Sequence, residues 1–252
     1  MINLICALKG KSEFEDEVKD LHKILIDSVS KIMQHFPRRD DGSRLVAERF
    51  HQDWTVDKKY SWQQNRGIVG HNLKIAWNLT RVAFYFESCR DADQYRSIKE
   101  ECLKVAKELA IAMDDLGGVD KFRGGCYDAV ERCPDPESGF KLMFPWLNTK
   151  DFWQQEQGIL CYLILMGAAK SEDEFKRFKE LAAVMSTFYF AFFVDLDHND
   201  IHFRVTDIGV PVKTGQYADK GGHAKSGYHI FELCYLAPVS YTHLTLPTNR
   251  EV

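Results

Sequence analysis

Apolar residues recur at helical spacing along most of this chain, and that period decides what it can fold into. Phe14, Val18, Leu21, Leu25, Val29, Ile32 and Phe36 follow one another at intervals of three and four, which is one face of an α-helix. Ser12 with Glu15 reads as a capping box opening this helix, and Pro37 as its stop. A second helix is expected from His71 to about Ser88. A third spans roughly 92–116, with Tyr95, Ile98, Cys102, Val105, Leu109 and Met113 on its stripe. Gly117-Gly118 ends it in the manner of a left-handed C-cap. Further helices are expected over about 150–169, from the capping pair Ser171 and Glu174 to about 194, and from His229 to about 236.

Between the helices the signals are short. Residues 44–55 suggest a strand or hairpin, and Ile201, Phe203 and Val205 a strand. Residues 117–147 read as a long loop, in which the glycines of Arg123-Gly124-Gly125-Cys126-Tyr127 precede no helix and so make a poor phosphate cradle. Arg38-Arg39-Asp40-Asp41-Gly42 is a charged, solvated turn. There is no βαβ alternation and no short fixed repeat, so an all-α array of helical hairpins is expected, with strand pieces in its loops.

With 252 residues the chain can bury one large core or two small ones. Its net charge is −4 and it has no basic run, so nucleic-acid binding by phosphate neutralisation has no support. No run is apolar enough to span a membrane, and the N-terminus lacks the pattern of a secretory signal. The cysteines Cys6, Cys89, Cys102, Cys126, Cys133, Cys161 and Cys234 form no Cys-x-x-Cys pair and are odd in number. Reduced, mostly buried thiols in a cytoplasmic protein are expected.

Chemistry enters at Gly67-Ile68-Val69-Gly70-His71-Asn72-Leu73-Lys74-Ile75-Ala76-Trp77. Two glycines mark a loop giving way to a helix, which puts His71 in or beside the first turn. There the unpaired N–H groups and the dipole favour neutral imidazole, a form able to take a proton from a carbon acid. A histidine that merely caps the helix is the rival reading. A later echo, Lys225-Ser226-Gly227-Tyr228-His229-Ile230-Phe231-Glu232, again delivers a histidine from a glycine-bearing loop into an apolar segment.

Together these stretches resemble the N-acylglucosamine 2-epimerase family, which includes cellobiose 2-epimerases and mannose isomerases. The family's Gly-His-x-x-Glu-x-x-Trp pattern matches at Gly70, His71 and Trp77, and its Tyr-His pattern with a following carboxylate at Tyr228, His229 and Glu232. An aromatic-aromatic-x-Gln-x-Glu block matches approximately at Phe152, Trp153, Gln154 and Glu156. The resemblance implies an (α/α)6 toroid of helical hairpins with its site at the mouth. Residues 1–237 are then an incomplete toroid lacking the first hairpins, and residues 238–252 a non-native or read-through tail.

The implied activity is epimerisation or aldose–ketose isomerisation at C2 of a reducing sugar, with His71 and His229 as the acid/base pair and neither assigned as base. These 252 residues alone are expected to show little activity. Trp77, Phe152 and Trp153 are the expected aromatic platforms, and Glu156 a partner for a hydroxyl or a histidine. Trp77 as core filling and Glu156 as a surface residue of a helix start are the rival readings. Two departures stand out. Phe152 occupies the place of the family's sugar-facing Trp, and Lys74 replaces its Glu, so an ammonium stands one turn from His71 where a carboxylate would raise its basicity. The alternative function is therefore a non-catalytic carbohydrate-binding or scaffold protein on the same toroid. A glycoside hydrolase would need a second carboxylate beside Glu156, and none stands out. No cofactor or metal is expected: His198 and His202, with Asp195, Asp197 and Asp200, read as a solvated loop. His22 and His35 read as exposed. The expected partner is a small-molecule sugar, with a homodimer left open.

Overall fold

The computed structural model describes residues 1–37, 43–60, 66–132, 149–222, 225 and 227–245, with side chains as far as Pro238. Among these, seven α-helices follow one another: α1 (Ile2–Leu8), α2 (Glu15–His35), α3 (Val69–Glu87), α4 (Arg96–Asp115), α5 (Phe152–Met166), α6 (Glu172–Phe192) and α7 (Gly227–Thr245). Consecutive helices pair as hairpins, α3 on α4 and α5 on α6, while α3, α5 and α7 pack side by side as an inner layer. This is an incomplete (α/α)6 toroid. Three two-stranded antiparallel pieces decorate it: β1 (Arg66–Ile68) with β2 (Ala129–Glu131), β3 (Thr149–Asp151) with β6 (Arg204–Thr206), and β4 (Val194–Asp195) with β5 (Asp200–Ile201). β1 leads directly into α3 and β3 into α5, so the N-termini of these two inner helices are held by strand pairs.

The outer helices α2 and α4 each bury one stripe, Leu25 and Val29 in one and Cys102, Val105, Leu109 and Met113 in the other. α5 has neighbours on all sides and is buried almost throughout, from Phe152 to Leu165. α4 closes on a Schellman motif. Gly117 takes φ +71°, its N–H reaches Asp114 O at 3.0 Å, and Gly118 N–H reaches Met113 O at 2.8 Å. At the head of α6, Ser171 Oγ accepts from Glu174 N–H at 3.2 Å, as the capping pair requires.

Several local expectations change. Ser12–Phe14 is a 3-10 turn and α2 starts at Glu15 without a side-chain cap. Residues 92–95 form a separate 3-10 turn before α4. Of the strand or hairpin expected over 44–55, what forms is a minimal hairpin around an antiparallel bridge between Phe50 and Val56, with His51 N–H on Thr55 O at 2.8 Å. α7 does not stop near Leu236 but continues through Pro238 to Thr245. Pro238 has no N–H to give the Cys234 carbonyl one turn back, and the helix continues past that missing bond. His22 is not a free surface residue: its ring bonds the hydroxyls of Tyr85 at 2.8 Å and Tyr95 at 2.9 Å, tying α2 to α3. His35 stacks on Trp54 at 4.2 Å. Of the cysteines, Cys102, Cys126 and Cys161 are buried, whereas Cys6 and Cys234 are exposed; Cys133 and the charged turn 38–42 lie outside the described residues. No described helix is long and apolar enough to cross a membrane.

The two glycines before and beside His71 serve close packing rather than backbone freedom. A Cβ on Gly67 would stand 2.3 Å from Leu45, and one on Gly70 2.5 Å from the Trp153 ring. Gly70 also gives its N–H to Gln154 Oε1 at 2.7 Å, so side chains of α5 press directly on the backbone of α3 here. Replacing Gly70 by Ala gains about 1 kcal/mol of helix propensity. The overpacking against Trp153 and Gln154 outweighs it, and a net loss of about 1–2 kcal/mol is expected. Urea unfolding of the variant measures this; an unchanged or raised midpoint would contradict the close approach.

Candidate functional site

His71 is the third residue of α3, and its Nδ1 lies 3.0 Å from Glu48 Oε2. Glu48, nearly buried at 12% side-chain exposure, comes from the irregular segment after α2, whereas the His71 side chain is 48% exposed. Their cavity measures about 310 Å³ and is walled by Glu48, Ile68, His71, Trp153, Phe203 and Tyr217, with Arg66, Asp128, Asp151 and Arg204 at its polar edge. That size and mixture suit a small polar ligand with an apolar face. Trp153 is the common neighbour of both histidines, with ring centroids 5.0 Å from His71 and 5.5 Å from His229. His229 packs on the same indole outside the residues that line the cavity, close enough for the His71 charge to act on it, and its side chain is 22% exposed.

Four consecutive polar side chains at the head of α5 set these positions, and all four are buried. Gln154 accepts from Gly70 N–H and donates to Asp128 at 3.1 Å. Gln155 accepts from Cys126 N–H at 2.7 Å and donates to Cys126 O at 2.9 Å. Glu156 turns away from the cavity and accepts from the Tyr189 hydroxyl at 2.6 Å. Gln157 accepts from Trp77 Nε1–H at 2.8 Å, donates to Glu232 at 3.0 Å and lies 3.1 Å from His229 Nδ1. Buried polar groups are costly unless paired, so this pattern leaves each side chain little choice of direction.

Three expected sugar contacts are thus placed elsewhere. Trp77 is 2% exposed and fills the core while holding Gln157; Phe152 and Glu156 are wholly buried. The block on α5, counted strictly from Phe152, ends at Gln157, and Gln157 is the side chain that meets His229. Lys74 likewise turns away from His71. Its ammonium bonds the Tyr228 hydroxyl at 2.9 Å and Glu232 at 3.2 Å, on α7. Burial first, and then the Lys74 charge, bring His229 down to about 4, so it is neutral at pH 7. The carboxylate partner of His71 is Glu48, which the sequence reading missed because no period or motif marks its segment.

The polar edge of the cavity is equally committed. Arg204 takes both carboxylate oxygens of Asp151, at 2.5 and 2.7 Å, and lies 3.7 Å from the Tyr217 ring centre. Asp128 has no such cation to itself, and burial with the Asp151 charge holds it well above the usual carboxylate range. Behind this edge Lys150, fully buried, donates to Asp120 at 2.9 Å and to Gly124 O at 2.6 Å, pinning the Gly124-Gly125 turn. In the loop that carries His198, the Asp195 carboxylate pairs with Lys220 and with His198.

No protein-family model matches the chain, and no curated protein matches it in sequence. Solved structures do match in fold. Cellobiose 2-epimerase from Spirochaeta thermophila DSM 6192 superposes at TM-score 0.65 over 97% of this chain and 51% of its own, with 17% identity. A D-mannose isomerase does so at 0.61 over 96% and 53%, with 19% identity, and a sugar epimerase from a ruminal bacterium at 0.62 over 95% and 50%, with 12% identity. The chain spans about half the length of the structures it matches.

Glu156 offers a test of this packing. Burial raises its carboxyl to about 7, above the unfolded value near 4.5, so the folded protein holds a proton there that the unfolded chain has lost. Its contribution to stability is therefore lost as pH rises from about 4.5 to 7. Glu156→Gln keeps an acceptor for Tyr189 and removes the titration. The variant is expected to match wild type near pH 4.5 and to exceed it at pH 8, by up to about 3 kcal/mol for a shift of this size. Denaturant midpoints of the two proteins across this range measure it; a difference that does not grow with pH would contradict the burial of an acid at this position.

Proposed function

We propose that this chain acts on the open form of a reducing sugar, removing the proton from C2, the carbon beside the aldehyde, and returning one. The His71–Glu48 pair on the rim of an aromatic-walled cavity carries this reading. The fold shared with sugar epimerases and a mannose isomerase supports it.

Neutral His71 gives its Nδ1–H to Glu48, which leaves the lone pair on Nε2. The C2 proton moves to Nε2, the C–H electron pair becomes part of a C1=C2 bond, and the carbonyl pair withdraws onto O1. Glu48 then faces an imidazolium, whose charge the carboxylate stabilises. Return of a proton to the opposite face of C2 gives the epimer; its return to C1, with the O2 proton passing to O1, gives the ketose. The Trp153 face receives the apolar side of the sugar, while Asp128, the carboxyl at the cavity edge that no cation takes up, meets its hydroxyls. His229, held against the same indole, is the second imidazole of the site. Trp77, Phe152 and Glu156 support these groups from within the core and do not touch the sugar.

A sugar-binding protein without catalysis is the second reading, favoured by Lys74, whose ammonium replaces a carboxylate in the helix that carries His71. Because the chain spans half the matched structures, net conversion is expected to be slow, and isotope exchange is the sensitive readout. In D2O, NMR is expected to detect deuterium entering C2 of mannose or glucose. His71→Ala should slow it by about 10²–10⁴-fold, the usual range for a lost general base. Exchange unaffected by His71→Ala would sink the assignment, and sugar binding with no exchange would support the binding protein.

A further inference from the structure

Trp77, Gln157 and His229 form a line of hydrogen bonds whose direction is set from both sides. An indole N–H only donates, so Gln157 Oε1, 2.8 Å from Trp77 Nε1, is the acceptor end of the amide. Its Nε2 therefore faces α7, where one N–H goes to Glu232 Oε2 at 3.0 Å and the other to His229 Nδ1 at 3.1 Å. Turning the amide over would set NH2 against the indole N–H and the carbonyl against a carboxylate, two repulsions at once. Nδ1 can accept from this amide only with its lone pair free. Glu232 Oε2 is 3.9 Å from Nδ1, too far to receive a proton from it.

We propose that Gln157, oriented by Trp77, is a positioning residue that commits His229 to the neutral tautomer protonated at Nε2, and that this selects aldose–ketose isomerisation over 2-epimerisation; the second half rests on the C2 chemistry above. An Nε2 that already carries hydrogen has no lone pair for a carbon-bound proton, and surrendering that hydrogen outright would leave an imidazolate. What it does well is donate a hydrogen bond to an oxygen gathering negative charge, as neutral imidazoles do in enolising sites. Epimerisation needs a second group to return a proton on the opposite face of C2. Isomerisation needs only one carbon base. His71 carries the hydrogen from C2 to C1, the hydroxyl proton passes from O2 to O1, C2 is oxidised and C1 reduced by the same two electrons, and no co-reactant enters. The Lys74 ammonium, bonded to Glu232 beside His229, further disfavours an imidazolium there.

The test uses the full chain labelled with 15N-histidine and long-range 1H–15N correlation of the rings at pH 7, with His229 assigned from a His229→Asn spectrum. Wild type should show His229 with Nδ1 unprotonated and Nε2 protonated. Gln157→Glu replaces the donor by an acceptor and should move the proton to Nδ1, while Trp77→Phe should yield a mixture of tautomers. An Nδ1-protonated His229 in wild type would overturn the lock, and so would a folded Gln157→Glu with an unchanged His229 spectrum. Should that variant fail to fold, the wild-type spectrum alone decides. The product formed from mannose is followed in parallel. Fructose as the first product supports the selection, and glucose as the first product overturns it whatever the tautomer. Absence of C2 exchange with any aldose refutes the underlying function, and with it the selection, while the tautomer result stands on its own.

Discussion

Burying four adjacent polar side chains is the constraint on which this structure turns. Gln154, Gln155, Glu156 and Gln157 open a helix with protein on every side, so none can look to water for its hydrogen bonds. Each finds a different neighbour: the backbone heading α3, the turn at Cys126, Tyr189 on α6, and the Trp77–His229 line between α3 and α7. A helix pinned this way in four directions cannot rotate or slide without stranding a donor or acceptor. The α3–α5–α7 layer thereby acquires a fixed register, and Trp153, which projects from the same turn, acquires a fixed place between the two histidines.

The charged groups around the cavity follow the same economy. Arg204 is taken up by Asp151 and Lys150 by Asp120, so the two buried cations hold the frame and leave little free charge at the cavity wall. Their bonds run between β3, β6 and the loop before β2, and β3 leads straight into the inner helix α5. The histidines meanwhile receive opposite surroundings. His71 is half-exposed beside a carboxylate; His229 is more enclosed, beside an amide N–H donor and within reach of an ammonium. Two imidazoles placed so differently are suited to different tasks.

Helix content and hairpin order were legible in the sequence because periodic apolar stripes, Ser171 with Glu174, and Gly117-Gly118 act locally. The place of His71 and His229 in the first turns of α3 and α7 was legible because each follows a glycine-bearing loop into an apolar run. Glu48 was not, since it lies 23 positions before His71 in an aperiodic stretch and meets it only in the folded chain. Glu156 had a rival reading as a surface residue of a helix start, and only tertiary packing buries it together with Gln154, Gln155 and Gln157. The family resemblance made Trp77 a candidate platform, yet six residues along the helix from His71 its side chain has turned into the core, as the rival reading had it. The stop expected before Pro238 is not taken, since the helix tolerates the one bond that the proline removes.

The account stands on a sugar chain lying against Trp153 with its second carbon at His71. A crystal structure with a linear sugar alcohol such as mannitol, which mimics the open chain but cannot react, examines this directly. The expected result is the polyol in the cavity between Trp153, Tyr217 and Glu48, with C2 about 3–3.5 Å from His71 Nε2, the reach of a productive approach. A polyol bound away from this cavity, or seated in it with His71 turned away from its carbon chain, would contradict it.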